Sequence, residues 1–207
     1  VVGDISSAAF LIVGALISKS ERLKICGVGM NPSRIGVLNV LKDMGAQIDI
    51  ENQRVESNEP VADLVVLPSS LKGITIDGSI IPNVIDEIPI ISIAAAFADG
   101  DTVISDAAEL RVKESDRLSA VSEGFLALGI EHDNFDDGMT IYGNAKLLEL
   151  SEPVTIDSHH DHRIAMSFLI AGLNCNQSIT VKECDNIFTS FPNFLELTAL
   201  LGYKIEK

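Results

Sequence analysis

Three stretches of the chain are apolar on nearly every side and rich in small residues, and each begins at a polar cluster. They run over Ser6–Leu16, Asp86–Phe97 and Asp161–Leu173. A helix that is hydrophobic all round is buried on most sides. The polar clusters supply candidate N-caps, which are Asp4 or Ser6, then Asp86, then Asp161. The pattern therefore predicts three core helices.

Each predicted core helix is followed by the same series of elements. A β-branched strand comes first, at Leu23–Cys26, Thr102–Ser105 and Ser178–Val181. An amphipathic helix ending at a glycine comes next, over Ser33–Met44 before Gly45, Glu114–Leu128 before Gly129 and Phe191–Leu201 before Gly202. A last strand then begins at once, at Ala46–Ile50, Ile130–His132 and Tyr203–Ile205.

The recurring series predicts an α/β protein built from three copies of one helix–strand–helix–strand unit. We expect one domain over residues 1–207, with repeats at about 1–58, 59–143 and 144–207. Extra strand pairs fit Asp63–Pro68 with Gly73–Asp77, and Thr140–Tyr142 with Val154–Ile156. An ordinary doubly wound α/β domain is the alternative.

Composition narrows the possible partners. The net charge of -15 argues against non-specific binding to nucleic acid, although a few cations in one cleft can still bind a small phosphorylated ligand. The apolar runs are about 10 residues long, half of what a membrane helix needs, so no membrane partner is expected. Three cysteines without a CxxC pair favour a reduced, cytoplasmic protein. The first residue, Val1, reads as the interior of a longer protein.

The densest group of charges is Glu109–Arg117, at the expected start of the second amphipathic helix. Helical spacing would place Lys113 and Arg117 one turn apart on one face, with Glu114 at the positive end of the helix. A solvated helix start with i,i+4 ion pairs is the alternative interpretation.

A second polar group, Ser158–Arg163, holds three of the four histidines. Adjacent ligands on an extended segment alternate sides, so a metal site is the weaker interpretation, and anion binding by Arg163 at a helix N-terminus is the stronger one. Asp86 and Glu87 precede the second core helix and are typical of an N-cap. Under three-fold symmetry, however, Asp86, the Lys113–Arg117 group and Arg163 could converge on one surface.

Taken together, these stretches resemble one enzyme family. The segments are Gly3–Phe10 (GDISSAAF), Ile85–Ile90 (IDEIPI), Glu109–Arg117 (ELRVKESDR) and Asp161–Met166 (DHRIAM), with Thr189–Pro192 in matching order. They are similar to the C-terminal domain of 5-enolpyruvylshikimate-3-phosphate synthases. The resemblance implies three βαβαββ units with helices inside and sheets outside, forming one domain of an inside-out barrel.

The resemblance also implies a reaction and its partners. The enolpyruvyl group of phosphoenolpyruvate would move to the 5-hydroxyl of shikimate 3-phosphate with release of phosphate, in the pathway to chorismate and the aromatic amino acids. No metal or organic cofactor is implied. An N-terminal domain, absent from this chain, would supply the rest of the site, so the chain alone is expected to have weak activity or none.

Residue roles follow by motif position. Asp86 resembles the proton acceptor at the shikimate hydroxyl, and Glu114 the residue that handles the methylene proton. Lys113 resembles the lysine at the reacting groups and a shikimate 3-phosphate ligand. Arg117 and Arg163 resemble the arginines that hold phosphoenolpyruvate, with His162 as a supporting neighbour.

One position departs from part of the family. Some members carry a lysine where this chain has Thr189, so either the chain belongs to the branch without it or its phosphoenolpyruvate pocket lacks one cation. A UDP-N-acetylglucosamine enolpyruvyl transferase and a non-catalytic module that keeps the fold are the competing interpretations.

Overall fold

The computed structural model describes residues 2–18 and 21–206. The helices are α1 Ile5–Ile17, α2 Gly36–Asp43, α3 Ile81–Val84, α4 Ile88–Ala96, α5 Arg117–Leu128, α6 His162–Ala171, α7 Ile187–Ser190 and α8 Phe194–Leu200. The strands are β1 Leu23–Gly29, β2 Gln47–Glu56, β3 Glu59–Leu67, β4 Thr75–Ile76, β5 Gly100–Ile104, β6 His132–Phe135, β7 Gly138–Gly143, β8 Val154–Asp157 and β9 Ile179–Lys182. Two 3-10 turns lie at Ala108–Val112 and Gly172–Asn174.

The three predicted core helices are α1, α4 and α6, and they pack against one another at the centre. Every residue of α4 is buried, and α1 and α6 are buried along most of their length. Their alanines and serines let the helix backbones approach closely while Ile and Phe side chains fill the gaps. None of the described helices is both long and apolar enough to cross a membrane.

Three sheets of the described residues cover this helical centre. The strand orders are β1-β3-β2, then β4-β5-β7-β6, and then β8-β9. Strand β1 alternates between buried and exposed positions, as expected of a sheet with one face toward the core and one toward water. The prediction of an α/β fold with helices inside and sheets outside is confirmed, whereas the repeat boundaries near residues 58 and 143 stay predictions.

The predicted strand pairs were wrong. Strand β3 pairs with β1 and β2, and β4 pairs with β5 in parallel. Strand β7 pairs with β5 and β6, while β8 pairs with β9. Residues Tyr203–Ile205 form no strand, because the Tyr203 N–H closes the end of α8 by donating to the Thr198 carbonyl at 2.9 Å.

The amphipathic helices begin later than predicted, although their ends are as expected. Helix α2 begins at Gly36, α5 at Arg117 and α8 at Phe194, and a separate short helix, α7, precedes the third predicted helix. All three glycines that follow them have left-handed φ angles, with values of 98° at Gly45, 69° at Gly129 and 78° at Gly202.

Candidate active site

The candidate site lies where the first residues of α4, α5 and α6 meet. Helices α4 and α6 pack side by side, so Asp86 and Arg163, 77 residues apart in sequence, come into contact. Helix α5 starts beside both of them and contributes Arg117. The three-fold arrangement thus brings together the three groups of polar residues that the sequence singled out.

Arg117 is the centre of this cluster, with only 1% of its side chain exposed. Its Nε donates to Asp161 Oδ2 at 2.8 Å, its Nη1 to Asp86 Oδ1 at 3.0 Å and its Nη2 to Glu114 Oε2 at 2.5 Å. One guanidinium therefore ties together the starts of three helices through three carboxylates.

Asp161 is fully buried and serves two elements at once. Its Oδ1 accepts the backbone N–H of Arg163 at 2.8 Å and caps α6, while its Oδ2 accepts from Arg117 and, at 3.2 Å, from the Ser115 hydroxyl. Burial by itself would raise the pKa of Asp161, but the hydrogen bond and charge of Arg117 outweigh it and hold that pKa below its usual value.

Asp86 is surrounded by cations. Its carboxylate contacts Arg117 and lies 3.6 Å from Lys113 Nζ, and 39% of its side chain is exposed. Partial burial acts to raise the pKa of Asp86, but the charges of Arg163, Lys113 and Arg117 outweigh it and lower that pKa. Asp86 is therefore ionised at neutral pH.

Lys113 lies between two carboxylates, with Nζ 2.9 Å from Glu109 and 3.6 Å from Asp86. The hydrogen bond to Glu109 is the largest cause of its raised pKa, which burial partly opposes. Lys113 is thus a stable cation beside the Asp86 carboxylate.

Arg163 lies in the first turn of α6 and reaches back toward α4. Its Nη1 donates to the Asp86 carbonyl at 3.0 Å and to Glu87 Oε1 at 3.4 Å. Its Nη2 and Nε make no hydrogen bond to any residue within 2–18 or 21–206. These N–H groups therefore have no hydrogen-bond partner among the described residues.

His162 is half-buried beside this arginine. Burial first, and then the positive charge of Arg163, lower the pKa of His162. The imidazole is therefore neutral at pH 7, and its role as a supporting neighbour stays a prediction.

Two local expectations were wrong. Asp86 does not cap α4, whose N-cap residue is Glu87 without a side-chain hydrogen bond. Lys113 and Glu114 are not on α5, because Asp116 caps that helix by accepting the Ser119 N–H at 3.0 Å, and the Lys113 backbone is extended. Both residues instead lie on a loop that leads into the cluster.

Three acids of the cluster make contacts that the sequence did not predict. Asp161 was predicted only as a helix cap, Glu87 only as part of an N-cap with Asp86, and Glu109 only as a member of the charged group Glu109–Arg117. Glu87 is 4% exposed, so it is a buried carboxylate beside Arg163. The side-chain partners of Asp161 and Glu87 belong to another unit of the fold, so no local pattern reveals them, whereas Glu109 pairs with Lys113 four residues further along.

The other predicted features lie at the edge of the site or outside it. His159 and His160 contact different glutamates, Glu123 at 2.8 Å and Glu183 at 3.3 Å. Across the described part of the chain, no three His, Cys, Asp or Glu side chains are placed to share a metal ion. Thr189 lies exposed in α7.

The fold has known counterparts. The enolpyruvyl transferase NikO from Streptomyces tendae aligns over the whole chain with a TM-score of 0.78 at 20% identity, and the chain covers 44% of that structure. An EPSP synthase from Acinetobacter baumannii aligns over the whole chain with a TM-score of 0.94 at 44% identity, and the chain covers 47% of it. The architecture is thus that of one half of an enolpyruvyl transferase fold.

Sequence comparison gives the family. Residues 1–197 match the family model of EPSP synthase (3-phosphoshikimate 1-carboxyvinyltransferase). The 3-phosphoshikimate 1-carboxyvinyltransferase of Geobacter sulfurreducens is 51% identical over 201 residues, and that of Magnetococcus marinus is 48% identical over 206 residues. These matches take in 97% and 100% of this chain but only 45% and 46% of the two relatives. The chain belongs to the EPSP synthase family and spans about half the length of its relatives.

Proposed function

We propose that this chain forms one half of the active site of a 3-phosphoshikimate 1-carboxyvinyltransferase. The observation that carries the proposal is the buried guanidinium of Arg117, which joins Asp86, Glu114 and Asp161 at one point. Asp86 and Glu114 belong to the predicted second unit and Asp161 to the third, and Lys113 and Arg163 lie beside them. Acids and cations that converge in this way suit proton transfer between two anionic substrates.

In the proposed reaction the 5-hydroxyl of shikimate 3-phosphate attacks C2 of phosphoenolpyruvate while C3 gains a proton. The resulting tetrahedral intermediate then loses phosphate and returns the C3 proton, which leaves the enolpyruvyl ether. The chain must therefore provide an acceptor for the hydroxyl proton and a group that exchanges a proton at C3.

Asp86 is the proposed acceptor for the hydroxyl proton. In the structure its pKa is lowered chiefly by Arg163, Lys113 and Arg117, against the effect of burial. Anionic substrates bound to those cations would neutralise part of their charge and make Asp86 a stronger base. Asp86 would therefore become basic only when the substrates are in place.

Glu114 is the proposed group at C3, and Lys113 the proposed cation at the reacting oxygens. Glu114 is attached to Arg117 by one hydrogen bond and 54% of its side chain is exposed, so it can turn toward a ligand without unfolding the loop. Lys113 keeps its proton at neutral pH, because its pKa is raised, first of all by Glu109.

Arg117 and Arg163 are the proposed ligands of phosphoenolpyruvate. Arg163 has free N–H groups for this purpose, whereas Arg117 must exchange a carboxylate partner for the ligand. The cluster contains three cations (Lys113, Arg117 and Arg163), and the carboxylates in contact with them are Asp86, Glu87, Glu109, Glu114 and Asp161. With five carboxylates against three cations, a further domain must bring positive charge before two anions can bind well.

The proposal is tested by measuring phosphate release from phosphoenolpyruvate plus shikimate 3-phosphate, with the chain completed by the other half of the enzyme. Asp86→Asn and Glu114→Gln are each expected to lower kcat by about 10²–10⁴-fold, the usual effect of removing a general acid or base. Asp49→Asn, at an exposed position of β2, is the matched control and should leave kcat unchanged.

Other results would point to the competing functions. Phosphate release that requires UDP-N-acetylglucosamine in place of shikimate 3-phosphate would identify the related transferase. If the completed protein is folded but releases no phosphate with either acceptor, and inorganic phosphate does not perturb NMR signals of Arg163, the chain is a non-catalytic module.

A further inference from the structure

The loop that carries Lys113 and Glu114 has little apolar packing of its own. It runs from the 3-10 turn Ala108–Val112 to the start of α5, and only Leu110 anchors it in the core, with 0% of its surface exposed. Val112, next to Lys113, is 80% exposed. A segment with so few buried apolar contacts is held in place by its hydrogen bonds.

Arg111 supplies most of those hydrogen bonds. Its Nε donates to the Asp136 carbonyl at 2.7 Å and its Nη2 to the Phe135 carbonyl at 2.5 Å, both at the end of the β6–β7 hairpin. Its Nη1 donates to Asp116 Oδ2 at 2.9 Å and lies 3.3 Å from the Ser119 hydroxyl. The planar guanidinium thus bridges the hairpin and the first turn of α5.

The ion pair between Arg111 and Asp116 also closes the loop at its two ends. Asp116 is the N-cap of α5, and the next residue is Arg117, the centre of the candidate site. Burial alone would raise the pKa of Asp116, but hydrogen bonds from Ser119 and Arg111 outweigh it and lower that pKa. Asp116 therefore stays ionised and keeps its bond to Arg111 throughout the neutral range.

The hairpin fixes the beginning of the same segment independently. The Ala107 N–H donates to the Asp137 carbonyl at 2.7 Å, just before the 3-10 turn. Arg111 then adds the two carbonyl bonds one turn further along. With both points fixed, Lys113 and Glu114 are presented toward Asp86 and Arg117 at a defined position.

We infer that Arg111 is a positioning residue for the proposed reaction: it holds the Lys113–Glu114 loop against the β6–β7 hairpin and touches no substrate itself. The inference rests on the proposed function, since it assigns Arg111 a part in that chemistry. Lysine cannot replace Arg111, because its single ammonium group cannot reach both hairpin carbonyls and the Asp116 carboxylate, which approach different edges of the guanidinium.

The test compares Arg111→Lys with the unmodified enzyme, completed by its other half, in kinetics and hydrogen exchange. We expect kcat to fall by about 10–100-fold with little change in either KM, as a small displacement of catalytic groups produces. Amides of residues 112–116 should exchange at least about tenfold faster, while those of the α4 core helix keep their rates. Arg54→Lys is the matched control, since Arg54 also bonds a carbonyl and two carboxylates, but on the sheet of the first unit.

The outcomes separate this inference from the proposed function. If the unmodified enzyme releases phosphate and Arg111→Lys has the same kcat, the positioning role is overturned and the function stands. A fall in kcat matched by faster exchange throughout the core would show a general loss of stability and would also overturn it. If the unmodified enzyme releases no phosphate, the proposed function fails. Unchanged hydrogen exchange at residues 112–116 in the Arg111→Lys variant would separately show that Arg111 does not hold the loop.

Discussion

At the scale of single residues, Asp161 and Asp4 make the same local contact in different surroundings. Each caps a core helix by accepting backbone N–H groups of its first turn. Asp4 has 54% of its side chain exposed, whereas Asp161 has none exposed and also binds the buried Arg117. A cap is visible in the sequence, but the charge partner from another unit is not.

We predict that Asp161→Asn destabilises the protein far more than Asp4→Asn. Asparagine caps helices about as well as aspartate, so Asp4→Asn should change the free energy of unfolding by less than about 0.5 kcal/mol. Asp161→Asn leaves the Arg117 charge buried without its full counter-charge, and losing one partner of a buried pair costs about 3–5 kcal/mol. Urea denaturation of both variants measures the difference, and equal losses would show that Asp161 acts only as a cap.

The candidate site residues can be recognised in the sequence only where they belong to local motifs. Asp86, Lys113, Glu114, Arg117 and Arg163 all stand in short charged segments that precede helices, and the structure gathers them. The contact of Glu87 with Arg163 and the second contact of Asp161 depend on which helix starts face one another. Such packing is set by the whole fold, so no local pattern reveals it.

At the scale of secondary-structure elements, Asp63 on β3 holds two irregular strands in place. Its carboxylate accepts from the Gly27 N–H at 3.0 Å and from Asn52 Nδ2 at 2.9 Å. The pairing register shifts at those two points, in β1 between Ile25 and Val28 and in β2 between Glu51 and Arg54. One carboxylate in the central strand thus supports a bulge in each neighbour.

We predict that Asp63→Asn lowers stability at neutral pH and that the difference from the unmodified protein shrinks in acid. The hydrogen bonds from Asn52 and Gly27, with those of Arg54 and Lys24, hold the pKa of Asp63 well below its usual value against partial desolvation. A carboxylate with a lowered folded-state pKa stabilises the fold above its unfolded pKa, about 3.9, and loses this contribution as the pH falls through the folded-state pKa. Urea midpoints measured between pH 7 and pH 2 test this, with Asp49→Asn as the control; a constant difference across that range would contradict it.

Helices α5 and α6 meet where a glycine faces an aromatic ring. A Cβ added to Gly124 would lie 2.0 Å from Cζ of Phe168, which is fully buried and stacked edge-on against Phe125. Glycine in the middle of a helix is unfavourable by roughly 1 kcal/mol relative to alanine. Its presence here is explained by the close contact between the two helices.

We predict that Gly124→Ala destabilises the protein despite the better helix propensity of alanine. Overpacking costs about 1–3 kcal/mol or more, which exceeds the gain in propensity of about 1 kcal/mol. Phe168→Leu should relieve the overlap, so the double variant should be more stable than the sum of the two single effects by at least about 0.5 kcal/mol. Additive effects in chemical denaturation would mean that Phe168 does not limit the space at Gly124.

Helices and their glycine ends were predicted better than strand pairs, because the two depend on contacts over different distances along the chain. Helix type and the glycine ends depend on spacing within about a dozen residues, and these predictions were confirmed in all three units. Strand pairing depends on contacts between distant segments, so β3 and β7 were assigned the wrong neighbours. Helix α5 begins later than predicted because Asp116 caps it, whereas α2 and α8 begin after residues that make no side-chain cap.

At the scale of the whole molecule, the site has more negative than positive charge and the chain as a whole carries -15. Both proposed substrates are anions. The three cations of the cluster are already engaged by carboxylates, so each anion must compete with a charge that the protein provides. A half-site of this kind is held together by its own ion pairs, and in the proposed enzyme further cations would come from the other half.

We predict that the chain alone binds phosphoenolpyruvate at least about tenfold more weakly than the chain completed by its other half. A tenfold difference corresponds to about 1.4 kcal/mol, a modest amount for added cations in a closed cleft. Isothermal titration calorimetry measures the phosphoenolpyruvate affinity of both forms. The Arg163→Gln variant should weaken binding in each. Equal affinity in the two forms would show that this chain contains the complete phosphoenolpyruvate site.

The order of the three units along the chain has a consequence for biosynthesis. Arg117 can be buried only with Asp161, its partner 44 residues further along, and Asp86 meets Arg163 77 residues later. At a translation rate of about 5–20 residues per second, Asp161 and Arg163 leave the ribosome roughly 2–15 s after Arg117 and Asp86, respectively. Asp86 and Glu114 precede Arg117 along the chain, but Asp161 is still missing during that interval. We expect Arg117 to stay solvated until then, because a guanidinium without its full set of partners is costly to bury. The nascent chain therefore acquires its site in one late step, when the third unit closes over the first two.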